Sequence, residues 1–257
     1  MEKKDQKIQL SVLMPVRNEA VNVAIMLKIF RAVLEIEHEI LIVYDYPDDD
    51  TIPVVERMQP DFPTARLIHN TLGPGPANAI RAGVEAATAD IIMIFTVDDT
   101  EPVFAIPAAV SLMRQGCDLV SGTRYAHGGR RLGGSLIQKI LSMIGNRAFH
   151  LLSGSVFTDA TTGFKLFRKS TFYDLRLEAM SWAIVYELAI KAQLAGLRLG
   201  EVPQVSIDRL HGGASSFAVI PWLKEYARWF FWGLRQHYLL GRRGTSEVLR
   251  PDSAASA

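Results

Sequence analysis

The sequence predicts an α/β fold: a doubly wound, mostly parallel sheet followed by an amphipathic helical extension. Three observations carry this. An apolar run, a loop rich in acidic, Gly or Pro residues and a helical pattern succeed one another several times in the first half of the chain. The runs around residues 39–44 and 91–95 are continuously apolar rather than alternating, as expected of parallel strands covered on both faces. Acidic residues gather directly after these two runs, at Asp45 and at Asp98 and Asp99, where ligands of such sheets bind.

Taken in order, residues 8–14 read as the first strand. Pro15 to Asn18 form a turn in which Asn18 is placed to cap a helix over 19–34. Residues 39–44 are the second strand, and an acidic loop over 45–50 follows. Thr51 and Pro53 then open a short helix in the cap and early-helix roles. Residues 66–69 are a third strand, followed by Gly73-Pro74-Gly75-Pro76 and an alanine-rich helix to residue 87. The fourth strand covers 91–95, and a further strand covers 119–121. Residues 122–134, with Arg124, Arg130 and Arg131 among glycines, read as a mobile basic loop before a helix over 135–152. Segments 164–167 and 197–203 are predicted strands, and 182–195 is a helix. The expected organisation is a main domain over 1–217, an amphipathic aromatic helix over 218–241, and a small polar tail over 242–257 that is expected to be disordered.

Of the 257 residues 49% are hydrophobic and 21% charged, which suits a globular protein with a sizeable core. A net charge of +1 gives no broad attraction for nucleic acid, so no nucleic-acid partner is expected. The opening MEKKDQKIQL has no separate apolar segment or small-residue cleavage site, so a cytoplasmic protein is expected. The single cysteine, Cys117, reads as a packed thiol. The segment FAVIPWLKEYARWFFWGLRQHYLL carries Lys224, Glu225, Arg228 and Arg235, so it suits the surface of a membrane better than its interior. Packing on the domain, or against a second copy in a homo-oligomer, is the alternative.

Among the acidic residues Asp98 is the strongest candidate for a hard-cation site, because it follows an apolar strand with no helix opening directly on it. Asp48, Asp49 and Asp50 read equally well as loop or cap residues. A diphosphate leaving group needs a cation or N–H donors aimed at it, and Arg124, Arg130 and Arg131 lie just after a strand of the same sheet. GPGPANAIRAG is not a dinucleotide-binding loop: it lacks the G-x-G-x-x-G spacing, and its prolines remove donors that a pyrophosphate would need.

SVLMPVRNEAVNV and IVYDYPDDDT resemble the opening and second-strand motifs of family-2 glycosyltransferases. LVSGTRY, DATTGFKLF, YELAIKA, EVPQVSIDR and GGASSF are similar to the polyprenyl-phosphate sugar synthase branch, the dolichol-phosphate mannosyltransferase type. The resemblance covers residues 9–217 and implies a fold of the GT-A type and an inverting, metal-dependent hexosyltransferase using Mg²⁺ or Mn²⁺. It implies that Pro15, Arg17, Glu19, Asp45 and Asp98 bind a GDP- or UDP-linked sugar. Asp98 falls on the second aspartate of the D-x-D metal motif, where Asp99 and Glu101 are further candidate ligands. Arg124, Lys139, Ser142 and Arg209 fall where the acceptor phosphate is bound. Asp98, Arg124, Asp159 and Glu187 are the catalytic candidates, and the acceptor is a polyprenyl phosphate met at the cytoplasmic face of a membrane.

The sequence departs from the family pattern at Thr96, which replaces the first D-x-D aspartate, and in the longer spacing between Arg209 and GASSF. Asp159 fits either a site or an Asx turn, and Glu187 either a site or a helix cap or salt bridge. His127 and His211 read as loop histidines, and Trp222, Trp229 and Trp232 as packing residues. Two other functions stay open. One is transfer to a glycan hydroxyl, which needs Asp159 or Glu187 as general base. The other is nucleotide-sugar binding without catalysis, motivated by Thr96.

Overall fold

The computed structural model describes residues 9–133, 136–208, 219–242, 244 and 247–251. The first half runs β1 (Leu10–Val16), α1 (Ala20–Val33), β2 (His38–Tyr44), α2 (Thr51–Met58), β3 (Ala65–His69), α3 (Pro76–Ala86) and β4 (Ile91–Ile94). A 3-10 helix, Glu101–Ala105, leads into α4 (Ile106–Arg114) and β5 (Leu119–Thr123). Then follow β6 (Arg130–Gly133), α5 (Leu136–Ser153), β7 (Lys165–Arg168), α6 (Lys169–Asp174), α7 (Ala183–Leu194), β8 (Leu199–Pro203), β9 (Val205–Asp208), α8 (Val219–Tyr238) and β10 (Val248–Leu249).

Eight strands form one sheet in the order β10-β8-β5-β7-β4-β1-β2-β3, and β6 pairs with β9 in a separate ribbon. Within the large sheet only β7 runs against its neighbours. The mostly parallel, helix-flanked α/β architecture expected from the sequence is the one observed. Side chains alternate across each strand, so Leu10, Val12 and Met14 of β1 enter a core with Val23, Met26 and Phe30 of α1. Leu13 enters a second core on the opposite face, with Ala77, Ile80 and Val84 of α3. That second face also takes Phe149 of α5, nearly all of α7, and Trp229 of α8. Helices on both faces explain why the strands read as continuous apolar runs.

From β1 the chain steps outward through β2 to β3, then returns to place β4 on the other side of β1. The crevice beyond the carboxyl ends of β1 and β4 is therefore the topological switch point of the sheet. Because β7 is antiparallel, residues 159–163, which precede it, emerge at this same edge.

Four local expectations are corrected. Asn18 does not cap α1: it sits at φ 53°, a left-handed conformation that asparagine tolerates, and no side-chain cap bond is present. The segment 122–134 is not wholly a loop, because its end pairs as β6 with β9, a partner more than 70 residues away in sequence. The tail contains β10, because Val248 and Leu249 cover the free edge of β8. Helix α4 was not anticipated and fills the first core with Ile106, Val110 and Met113.

Candidate active site

At the end of β2 the Asp45 carboxylate accepts bonds from Asn70 Nδ2 (2.7 Å) and from the Gly75 amide (2.9 Å). Gly75 presents that amide at φ 126°, a conformation suited to glycine, immediately before Pro76 opens α3. Asn70 and Asn78 both donate to the Gly73 carbonyl, and Asn70 also donates to Asp45, so the Gly-Pro loop is tied to Asp45. Next to it, the Arg17 guanidinium lies 4.9 Å from the Tyr46 ring centre. Pro15 occupies β1 opposite Val43. The amide of Glu19 donates to Thr51 Oγ1 (3.0 Å), and its carboxylate accepts from Asn22 (2.6 Å).

Asp49 and Asp50 are structural. The buried Asp49 carboxylate accepts the Asn18 amide through both oxygens and the Thr51 amide at 2.9 Å, so it closes the turn before α2 and pins the first turn to the second. Asp50 accepts the Ala20 amide.

In the middle of the edge, Thr96 to Asp99 leave β4. Asp99, expected as a metal ligand, instead accepts Ser206 Oγ (2.5 Å) and the Ile207 amide (3.2 Å), which anchors β9 to the sheet. Asp98 is half-buried and remains at the switch point; the side chain of Glu101 lies outside the described residues. No cluster of three or more His, Cys, Asp or Glu side chains suited to a metal occurs among the described residues. A Cβ built on Gly163 would lie 3.2 Å from Thr96 Cγ2 and 4.0 Å from Trp182 Cζ3, so the segment before β7 and that before α7 both reach this point.

Trp182 ends an irregular stretch whose backbone is held by three helices. Arg81 of α3 donates to the carbonyls of Leu177 and Ala179. Glu187 of α7 accepts the amides of Glu178 and Ala179, and Glu225 of α8 those of Met180 and Ser181. Glu187 is fully buried and is also paired with Lys191 at 2.7 Å. It is a support of this wall, not a carboxylate open to a substrate. The salt-bridge alternative for it is realised, whereas α7 has no side-chain cap bond and the amides Glu187 accepts belong to the irregular stretch before that helix.

The third part of the edge is built around Arg124, directly after β5. Its Nε donates to Asp159 Oδ2 (2.7 Å) and its Nη2 to Asp159 Oδ1 (3.0 Å) and Thr161 Oγ1 (3.2 Å). The Arg124 amide adds a third bond to Asp159 at 3.2 Å. The arginine side chain is 13% exposed and the aspartate 0%. Burial alone would raise the Asp159 pKa, but the guanidinium and its hydrogen bonds outweigh this and hold the carboxyl below its ordinary value. Tyr125 donates its hydroxyl to Ser142 Oγ of α5 (2.9 Å), so Ser142 belongs to this cluster. Lys139 lies on the same helix, but its side chain is outside the described residues, and Arg209 is outside them altogether. Arg130 and Arg131 lie on β6, opposite Val205 and Ser206 of β9.

Sequence reasoning missed two groups here. Lys165 opens β7, is fully buried, and donates to Ser121 Oγ at 2.8 Å. Burial lowers its pKa to about 7, although Asp159 pulls the other way. Glu201 of β8 accepts the Thr158 amide through Oε1, and burial raises its pKa. Its Oε2 has no hydrogen-bond partner and lies 3.8 Å from His127 Nε2. A lysine inside the apolar run GFKLF was the available signal, since lysine is almost never fully buried without a partner.

The glycosyl transferase family 2 model matches residues 11–176, more than half of the chain. Over 201 residues the chain is 25% identical to a dolichol-phosphate mannosyltransferase of Pyrococcus furiosus, covering 76% of this chain and 56% of that protein. It is 27% identical over 183 residues to a dolichyl-phosphate hexose transferase of Haloferax volcanii, covering 66% and 75%. It is 24% identical over 196 residues to an undecaprenyl-phosphate mannosyltransferase of Micrococcus luteus, covering 72% and 80%. The chain thus spans little more than half the length of the Pyrococcus protein. In fold it is similar to glucosyl-3-phosphoglycerate synthase of Mycobacterium tuberculosis, solved with Mn²⁺, uridine diphosphate and glucosyl-3-phosphoglycerate. The TM-score is 0.66 at 17% identity, over 96% of this chain and 82% of that one. A complex of the same synthase with Mg²⁺ and uridine diphosphate gives 0.64 at 18% identity, over 96% and 81%.

Proposed function

Since the chain belongs to glycosyl transferase family 2, we propose that it moves a hexose or N-acetylhexosamine from a nucleoside diphosphate to the phosphate of a polyprenyl lipid, with inversion at the anomeric carbon. One observation carries this choice of acceptor. Asp159 and Glu187, the candidates for the base that a hydroxyl acceptor would need, are both fully buried and occupied by structural partners. A base must reach the proton it takes and be free to accept it. An acceptor phosphate is already anionic and needs no such base. The names of the Pyrococcus, Haloferax and Micrococcus relatives point to the same acceptor class.

On this reading Asp45 and Arg17 hold the nucleoside side of the donor, and Arg124 with Ser142, Lys139 and Arg209 receives the acceptor phosphate. Catalysis is then positioning together with stabilisation of the departing diphosphate. With Thr96 at the partner position and Asp99 bound to β9, this reading gives the divalent cation to Asp98, by its place at the switch point. A donor set of one carboxylate, substrate phosphates and water fits Mg²⁺, which keeps several waters. The cation would neutralise charge on the leaving diphosphate.

The acceptor lipid brings the protein to a membrane surface. No helix among the described residues is long and apolar enough to cross one. Helices α5 and α8 pack on each other through Phe149 and Phe230, with ring centres 5.9 Å apart. Both leave large apolar side chains outside, Ile144 and Leu151 on α5 and Leu223 and Phe231 on α8. Exposed Arg147, Arg228 and Arg235 on the same helices suit anionic lipid.

A transfer assay offering polyprenyl phosphate and soluble glycans side by side, across UDP- and GDP-linked sugars, tests the proposal. Transfer to the lipid phosphate is expected. Turnover confined to glycan hydroxyls would overturn it, and so would donor binding by calorimetry with no turnover on either acceptor.

A further inference from the structure

Helix α5 carries two stripes at helical spacing. Ile140, Ile144 and Leu151 are exposed, whereas Asn146 and Phe149 are buried and Ser142 is half-buried. Asn146 makes more polar contacts than any packing role requires. Its Nδ2 donates to Asp159 Oδ1 (3.1 Å), Thr161 Oγ1 (2.8 Å) and the Ser142 carbonyl (3.0 Å). Its Oδ1 accepts the Ala160 amide at 3.0 Å. These partners fix the amide orientation, because one end faces a donor and the other faces acceptors. The two Asp159 oxygens thereby receive Arg124, Thr161 and Asn146 in one buried network.

From this geometry we infer that Asn146 is the positioning residue that holds the Arg124 guanidinium, through Asp159 and Thr161, in register with helix α5. Arg124 touches Asp159 in a forked pair, so the direction of the guanidinium follows that of the carboxylate. The carboxylate in turn is oriented from the α5 side by Asn146. Tyr125, the neighbour of Arg124, makes a second link to α5 through Ser142. The arginine and the helix that carries Ser142 and Lys139 are therefore set as one unit. The inference rests on the acceptor-phosphate reading of Arg124 given above.

Steady-state kinetics of Asn146→Ala, Arg124→Lys and the double variant test it. Asn146→Ala is expected to raise the acceptor KM about tenfold and leave the donor KM within about twofold, with little further loss when Arg124 is already Lys. Asn146→Asp keeps the shape but sets a second carboxylate against Asp159, and only its protonated form restores a donor. Its acceptor KM should therefore approach that of the unaltered protein at each lower pH. Equal losses for donor and acceptor, additivity with Arg124→Lys, and no recovery of Asn146→Asp at low pH would reduce Asn146 to a packing residue and overturn the inference. Absence of transfer to polyprenyl phosphate by the unaltered protein would instead reject the acceptor reading. The coupling between positions 124 and 146 would then be read from kcat/KM on the acceptor that is used.

Discussion

Asp98 and Asp99 are neighbours at the end of β4, and the contacts of Asp99 with β9 give it a structural part. Asp99 is spent on β9, whereas Asp98 stays at the switch point between β1 and β4. Asp98→Asn is expected to lower kcat/KM by about 10²–10³-fold, the scale of losing one main electrostatic contact to a leaving group, and to blunt the response to added Mg²⁺. Titration of activity with metal in the two proteins measures it; full metal-dependent transfer by the variant would remove Asp98 from the site. Arg124 has a structural share as well. Arg124→Ala leaves the fully buried Asp159 without its cation and should destabilise the fold by about 3–5 kcal/mol, read from denaturant unfolding. That Asp98 and Arg124 sit at the carboxyl edge of the sheet was legible in the sequence from their place after apolar strands. The run GFKLF signals that Lys165 is buried, but its partner, like that of Asn146, was not legible, because Asp159 lies 13 residues from Asn146 and six from Lys165 across a turn.

Whole elements were read most easily where local pattern and final environment agree. Strands β1, β2 and β4 and helices α1, α3 and α7 were each found to within about two residues, since a continuous apolar run or an alanine-rich stretch states its burial directly. The ribbon β6-β9 was invisible, because Arg130 and Arg131 carry no apolar signal and their pairing is supplied from residues 205–208. Helix α8 shows why an aromatic segment alone could not decide between membrane and core: the structure divides its aromatic residues. Trp229 is buried, with Lys191 and Arg228 each 5.2 Å from its ring centre, while Phe231 is 65% exposed. Ile144 of α5 is 57% exposed. Replacing Ile144 and Phe231 by Glu should therefore leave thermal unfolding within about 0.5 kcal/mol of the parent, yet reduce co-flotation with anionic liposomes several-fold. Unchanged flotation would argue that these helices face another copy of the chain or no partner at all.

At the scale of the whole molecule, the sheet brings Asp45, Asp98 and the buried Arg124–Asp159 pair to one edge. Beneath that edge lies Lys165, whose pKa of about 7 leaves it without its proton in the folded chain at pH values where the unfolded chain still carries one. Unfolding therefore takes up a proton between about pH 7 and the ordinary lysine value near ~10.4, and this group makes stability rise with pH through that window. Lys165→Met should flatten the rise, as measured by denaturant unfolding across the range; an unchanged slope would place the lysine charge elsewhere. The most direct measurement of the central claim follows the sugar itself. With an α-linked nucleoside-diphosphate sugar and polyprenyl phosphate, the label should pass into the organic phase as a β-linked phosphodiester, its configuration read from the anomeric proton coupling. Label that stays wholly in the aqueous phase, or a lipid product of retained configuration, would contradict it.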